Sequence, residues 1–200
     1  MPNWCSNSMV VYGSPTEIKD FYSKVKLAIQ RGNENKHWHL YEIYAVFGDE
    51  EKEILNSSDN GYIRGYIDDV TEIVNNDDES YFTVYYESAW SSMCEGFDWL
   101  LEHNYKTLKQ VTLAEECGCE YYINTDKEHK FFQERYILDV VDYDIYYCST
   151  IGEVFQELQK YLDTKKHFKS MSLRELERVL DQNDNEIEGY QIYFHEYCNY

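Results

Sequence analysis

An α+β protein is predicted for this 200-residue chain from three observations. Runs rich in branched and aromatic residues alternate with segments of helical periodicity. Helix starts of the Ser/Thr-x-x-Glu kind stand at Ser14, Thr150 and Ser172. Tyrosine, which favours strands, occurs twenty-one times. With 43% hydrophobic residues the chain has material for a core, so global disorder is not expected.

Residues 8–12, Ser-Met-Val-Val-Tyr, read as the first strand. Ser14, Pro15 and Glu17 then open a helix as N-cap, N1 and N3 of a capping box. Its apolar face carries Ile18, Phe21, Tyr22, Val25, Ala28 and Ile29, and Gly32 is expected to close it. Leu40, Ile43, Tyr44 and Phe47 predict a short second helix, and residues 49–61 an acidic surface insertion. Residues 62–74 and 80–87 read as strands joined by Asn75-Asn76-Asp77-Asp78-Glu79, a run of turn formers. A helix over 92–103 places Phe97, Leu100 and Leu101 inward. Strands are expected over 108–114, 119–124 and 131–141.

From Ser8 to Ala114 the order is strand, helix, strand, strand, helix, strand, the split βαβ or ferredoxin-like arrangement, with one helical insertion. The later strands are expected to extend or flank that antiparallel sheet. Beyond Thr150 a helix carries Val154, Phe155, Leu158, Tyr161 and Leu162. A second helix carries Leu176, Val179 and Leu180, and a strand follows over 190–197. Two regions are therefore expected: a ferredoxin-like domain over 1–148, with an insertion at about 33–61 and added strands, and a C-terminal helix-helix-strand segment over 149–200 packed on it.

Charge is unevenly distributed. Between His37 and Cys148 there are 25 Asp and Glu against 7 Lys and Arg, which accounts for nearly all of the formal net charge of −20. Such a block repels nucleic acid and anionic membranes and attracts basic surfaces, including grooves that hold nucleic acid. Carboxylates two apart on a strand lie about 6.6 Å apart, close to phosphate spacing along an extended nucleic-acid strand. No apolar run is long enough to span a bilayer. The N-terminus lacks the basic start and apolar stretch of a signal peptide, so a cytoplasmic protein with reduced thiols is expected.

Asn3-Trp4-Cys5-Ser6-Asn7 opens the chain, and Glu87-Ser88-Ala89-Trp90-Ser91 ends the expected third strand. Together they resemble a family of phage- and mobile-element-encoded proteins with an Asn-Trp-Cys-x-Asn opening and a ferredoxin-like domain. An acidic, glycine-containing hairpin of that family also resembles Glu115-Glu116-Cys117-Gly118-Cys119-Glu120. The resemblance covers roughly residues 1–125. It departs where Ser92 and Met93 stand in place of prolines. It implies a phage or plasmid context and a bacterial host cytoplasm, and it brings no catalytic residues. Trp4 and Trp90, beside strand ends, are expected to close the core.

Several constellations invite a catalytic or metal reading. His37-Trp38-His39 lacks the two further ligands that zinc requires. Cys117-Gly118-Cys119 has one intervening residue where a zinc knuckle or redox pair has two. Asp139, Asp142 and Asp144 suggest metal-dependent nuclease or nucleotide hydrolase chemistry, with Asp142 and Asp144 on one strand face, but the glycine turn and terminal Glu of a calcium loop are absent. His195, Glu196 and Cys198 could form a nucleophile set, yet alternation points Glu196 and Cys198 away from His195. No Gly-rich phosphate loop occurs. No catalytic residue, metal or cofactor is therefore expected.

The leading expectation is a non-catalytic acidic phage protein that binds and inhibits a basic, nucleic-acid-handling host protein, of the anti-CRISPR or other anti-defence type. It would bind neither nucleic acid nor membrane directly. The expected partner-binding residues are Asp68, Asp69, Asp77, Asp78, Glu79, Glu115 and Glu116, with Tyr85 or Tyr86 as aromatic neighbour. A metal-dependent hydrolase and a self-associating accessory module are the alternatives.

Overall fold

Ten residues, Trp4–Gly13, form strand β1, and β1 lies inside a sheet with a partner on each side. The computed structural model describes residues 3–48, 63–76, 79–162, 171–183 and 185–198. These form an α+β protein of two compact units, Met1–Thr125 and Asp126–Tyr200. Among the described residues no helix is long and apolar enough to cross a membrane.

In the first unit β1 is followed by α1 (Pro15–Asn35), α2 (His39–Ala45), β2 (Gly65–Val70), β3 (Val74–Asn75), β4 (Ser80–Ala89), α3 (Cys94–Asn104), β5 (Lys109–Glu116) and β6 (Tyr121–Asn124). The sheet order is β2-β4-β1-β5-β6, with β3 also paired to β4, and every pairing is antiparallel. Helix α1 thus joins β1 to β2 across β4, and α3 joins β4 to β5 across β1. Alternation along the strands sends Met9, Val11, Phe82, Val84 and Tyr86 to one face, where they meet Ile18, Phe21, Val25, Phe97 and Leu101. Burying this one face of the sheet under amphipathic helices is what the period-2 and period-3.6 patterns encode together.

The start of α1 differs from a simple capping box. Ser14 Oγ accepts the Glu17 amide, but the Glu17 carboxylate turns to the loop before β5. There it accepts the Lys106 and Thr107 amides at 3.1 and 2.9 Å. A half-buried acid thereby ties together segments ninety residues apart in sequence.

Gly32 does not end α1, which runs on to Asn35 and is capped by Lys36 at φ 55°. Its role is close approach. A Cβ there would come within 2.4 Å of the His39 ring. That ring cannot yield easily, because Nδ1 accepts the Ile67 amide at 3.1 Å and Nε2 meets Asn33 Oδ1 at 3.1 Å. The expected insertion at 33–61 is thus occupied in part by the end of α1 and by α2; residues 49–61 lie outside the described residues.

The second unit contains β7 (Tyr136–Val140), β8 (Asp144–Cys148), α4 (Ile151–Leu158), α5 (Leu173–Gln182), β9 (Glu186–Ile187) and β10 (Tyr190–Glu196). Its sheet has the order β8-β7-β10-β9. The strand expected over 131–141 therefore pairs with β8 and β10, not with the first sheet, and the units divide between Thr125 and Asp126 where a boundary at 148 was expected. The physical reason is the core. Leu138, Val140 and Ile192 have their apolar partners on α4 and α5, in Val154, Leu158, Leu176 and Leu180. Thr150 caps α4, and Ser172 with Glu175 forms a reciprocal capping box on α5.

The unit begins with a loop held by two opposite charges. Asp126 accepts the Phe131 and Phe132 amides at 2.6 and 2.9 Å. Arg135 donates to the carbonyls of Asp126, Phe132 and Glu134. Burial alone would raise the Asp126 carboxyl, but the backbone donors and the Arg135 charge outweigh it and hold it below the usual aspartate range.

Two outcomes follow. Gly32→Ala should destabilise the chain by about 1–3 kcal/mol in urea unfolding, because overlap with the fixed imidazole outweighs the helix propensity gained. Asp126, with its folded pKa below the unfolded value of about 3.9, stabilises the fold above that pH, and the contribution fades as pH falls through the folded pKa. Asp126→Asn should therefore flatten the loss of stability below about pH 4, measured by thermal unfolding across an acid series.

Candidate functional site

The three stretches that carry the family resemblance meet at one end of the first sheet. Antiparallel pairing sets Trp4 against Ala89, Cys5 against Ser88, and Ser6 against both Glu87 and Glu115. The Asn3 carbonyl accepts the Trp90 amide at 2.9 Å, and Asn3 Nδ2 donates to Cys119 Sγ at 3.3 Å. Beneath them Asn7 is buried. Its amide lies 2.7 Å from the Cys5 carbonyl, 2.9 Å from Ser88 Oγ and 3.3 Å from the Tyr86 carbonyl. Ser88 Oγ in turn donates to the Ser91 carbonyl at 2.7 Å. Residues more than eighty positions apart are therefore stitched through one side chain.

Cys5 belongs to this interior. Burial, helped by the nearby Glu116 charge, pushes its thiol up to about 12, so it is an inert packing group at neutral pH. Cys117 and Cys119 are exposed in a single turn of 3-10 helix. Among the described residues no group of three His, Cys, Asp or Glu side chains is placed to hold a metal ion.

On the sheet face opposite the helices, register and alternation align Tyr66, Glu87, Ser6, Glu115 and Tyr122 in one row across five strands. The next row holds Asp69, Tyr85, Ser8 and Leu113. Glu87 and Glu115 flank Ser6 from its two neighbouring strands, so they stand about 10 Å apart. Tyr66, Tyr85 and Glu87 are exposed. Trp38 lies against Tyr66 at 4.5 Å between ring centres, and Trp4 lies 5.9 Å from Trp38, extending the row into an aromatic cluster.

The structure places the expected contact residues unequally. Asp68 is exposed at a bulge, where the register shifts between Ile67 and Asp69. Asp69 is exposed beside Tyr85 and accepts the Val70 amide. Glu79 is half-buried at the start of the hairpin, and Glu115 is half-buried in the acidic row. Asp77 and Asp78 lie outside the described residues, as does the acidic run of 49–53. Glu116 is only 5% exposed. One of its carboxylate oxygens caps the Gly118 amide at 3.1 Å, and it cannot serve as a surface contact. Tyr86 is also interior: it packs on Phe97, and burial raises its phenol far above the ordinary value. Of the tyrosine pair, alternation leaves Tyr85 outside. Glu87 and Tyr66 were not expected as contacts, although Glu87 is two residues from Tyr85 and thus shares its face.

Trp90 does not close the core. It is 55% exposed and adopts φ 73°, a left-handed conformation rare for a bulky side chain. The other chemical candidates separate as well. His39 is a buried structural imidazole, and His37 lies against Tyr41. Asp139 pairs with Ile145 and Asp144 with Val140, so these two carboxylates point to opposite sheet faces. Asp142 sits in the turn at φ 67°, outside either strand, and so does not share a strand face with Asp144.

Compared with family models, with curated proteins and with solved structures, the chain gives no match. The exposed, left-handed Trp90 makes a direct stability prediction. Trp90→Gly relieves a strain of about 1–2 kcal/mol and loses about 0.4–1 kcal/mol through the freer unfolded chain. Its urea midpoint should equal or exceed that of the parent. A clear loss of stability would mean that the ring holds the fold.

Proposed function

We propose that this chain is a non-catalytic acidic binding protein that uses the face carrying Glu87, Glu115, Asp69, Tyr66 and Tyr85 to engage a basic partner. The row that sets Glu87 and Glu115 on one face with the exposed Tyr66, on a chain of net charge −20, is the observation that carries the reading. Carboxylates at this spacing attract cationic side chains from a distance, and exposed aromatic rings supply contact area at little entropic cost. Steering of this kind speeds encounter and weakens with salt over a Debye length of about 8 Å at physiological ionic strength.

The partner class that best fits is a basic host protein that handles nucleic acid, which this protein would inhibit as an anti-CRISPR or other anti-defence factor in a bacterial host cytoplasm. Two things support that narrower reading. The strand order β2-β4-β1-β5, with α1 and α3 as crossovers, fits a ferredoxin-like unit. The Asn3–Asn7, Glu87–Ser91 and Glu115–Glu120 stretches, which resemble a phage and mobile-element family, lie together at one end of that sheet.

The test is capture of the partner from a bacterial lysate, followed by titration of the captured protein at rising salt against the parent chain and an E87K/E115K variant. Affinity should fall steadily with ionic strength, and the charge reversal should weaken binding about tenfold or more. Binding indifferent to both would remove the electrostatic reading of this face.

A further inference from the structure

The second unit ends its sheet on β8, and no strand of the described residues pairs with the outer edge of β8. Alternate N–H and C=O groups of an edge strand point away from its neighbour and can pair with another chain. Natural edges are commonly blunted by lysine, proline or a bulge. Asp144-Ile145-Tyr146-Tyr147-Cys148 has no lysine or proline, and its pairing with β7 runs without a register shift.

The side chains along this edge are unusually bare. Tyr143 is 61%, Ile145 55% and Tyr147 53% exposed, three of the most exposed large apolar groups among the described residues. Ile145 and Tyr147 share the sheet face turned away from the core side chains Leu138, Val140 and Cys148. The edge is also held in place. The Tyr143 ring lies 5.5 Å from Tyr161 and 5.3 Å from Tyr190, and the Tyr146 and Tyr161 hydroxyls are 2.5 Å apart.

Charge decides what could occupy it. Asp139, Asp142 and Asp144 lie on the β7–β8 hairpin, and Glu153 and Glu157 on α4 beside it. Glu153 accepts the amide of Ser149, the residue after β8, at 2.7 Å, and Glu157 pairs with Lys160, whose ammonium lies 5.1 Å from the Tyr146 ring. Among the described residues the cations nearest this edge are engaged: Lys160 pairs with Glu157, and Arg135 is held by backbone carbonyls. A second copy would set another Asp139, Asp142 and Asp144 against the same edge.

We propose that β8 is a docking edge for an extended basic segment of a partner protein, which adds as a further strand of this sheet. Its apolar side chains lie against Ile145 and Tyr147, and its lysine or arginine side chains project on the other face toward Asp144. This rests on the reading of the chain as an acidic binding protein, but uses a surface separate from the Glu87–Glu115 row. Main-chain pairing supplies affinity in such strand addition, and the alternate side chains supply selectivity.

The test uses the full chain and an eight-residue peptide of alternating Lys and Val, with amide exchange at residues 144–148 as readout. The peptide should slow exchange there at least tenfold, and the protection should fade with salt. It should be lost in the I145K/Y147K variant and with a peptide N-methylated at alternate residues, which cannot pair as a strand. Protection elsewhere but not at β8 would overturn the proposal. So would equal protection by an alternating Glu and Val peptide, or protection without peptide accompanied by a dimer in sedimentation. The E87K/E115K variant keeps the two readings apart. It should retain β8 protection by the peptide even if its titrations show that the first face binds nothing.

Discussion

The buried amide of Asn7 sits where a polar group is costly unless its hydrogen bonds are made. It is placed to make them with three acceptors, in β1 itself, in β4 and on the Ser88 hydroxyl. The central strand can therefore take only a register that presents those acceptors. A slip by one residue would turn Asn7 outward and bring the opposite set of β1 side chains against the helices. The positions of Trp4, Ser6, Glu87, Glu115 and Trp90 all follow from that register, because each is located by its pairing with β1 or with Asn3.

Acidic residues in this chain do two different jobs. Glu17 and Asp126 accept backbone amides of neighbouring loops, Glu116 caps a turn from the interior, and Glu175 closes a capping box. These carboxylates are internal fastenings, and protonating or reversing them acts on folding. Glu87, Asp68 and Asp69 face outward and are available to attract a partner. A net charge adds both groups together, so the acidic block by itself overstates the surface available for recognition. The case for binding is stronger where carboxylates share a face with exposed rings, as they do beside Tyr66 and Tyr85.

Much of the first unit was legible in the chain. The helix start at Ser14, the apolar face from Ile18 to Ala28, the strands around 8–12 and 80–87, and the α3 core residues Phe97, Leu100 and Leu101 all stand where periodicity placed them. Gly32 misled because a glycine near a helix end reads as a stop, whereas this one makes room for His39. Glu116 misled in a similar way. It follows another acid at the end of a strand, and only the Gly118 amide folded back over it shows that the second carboxylate is inside.

The sequence by itself determined the helices and the main strands other than β8, and that the charge is concentrated. Those properties depend on local spacing and composition, which a linear chain displays. Only the tertiary structure decided that β7 and β8 belong to the second sheet, that Tyr85 faces out and Tyr86 in, and that Trp90 is presented while Trp4 packs. Each of these depends on which distant strand lies alongside. Strand pairing is selected by the fit of whole faces and by buried partners such as those of Asn7, not by any one segment's own preference.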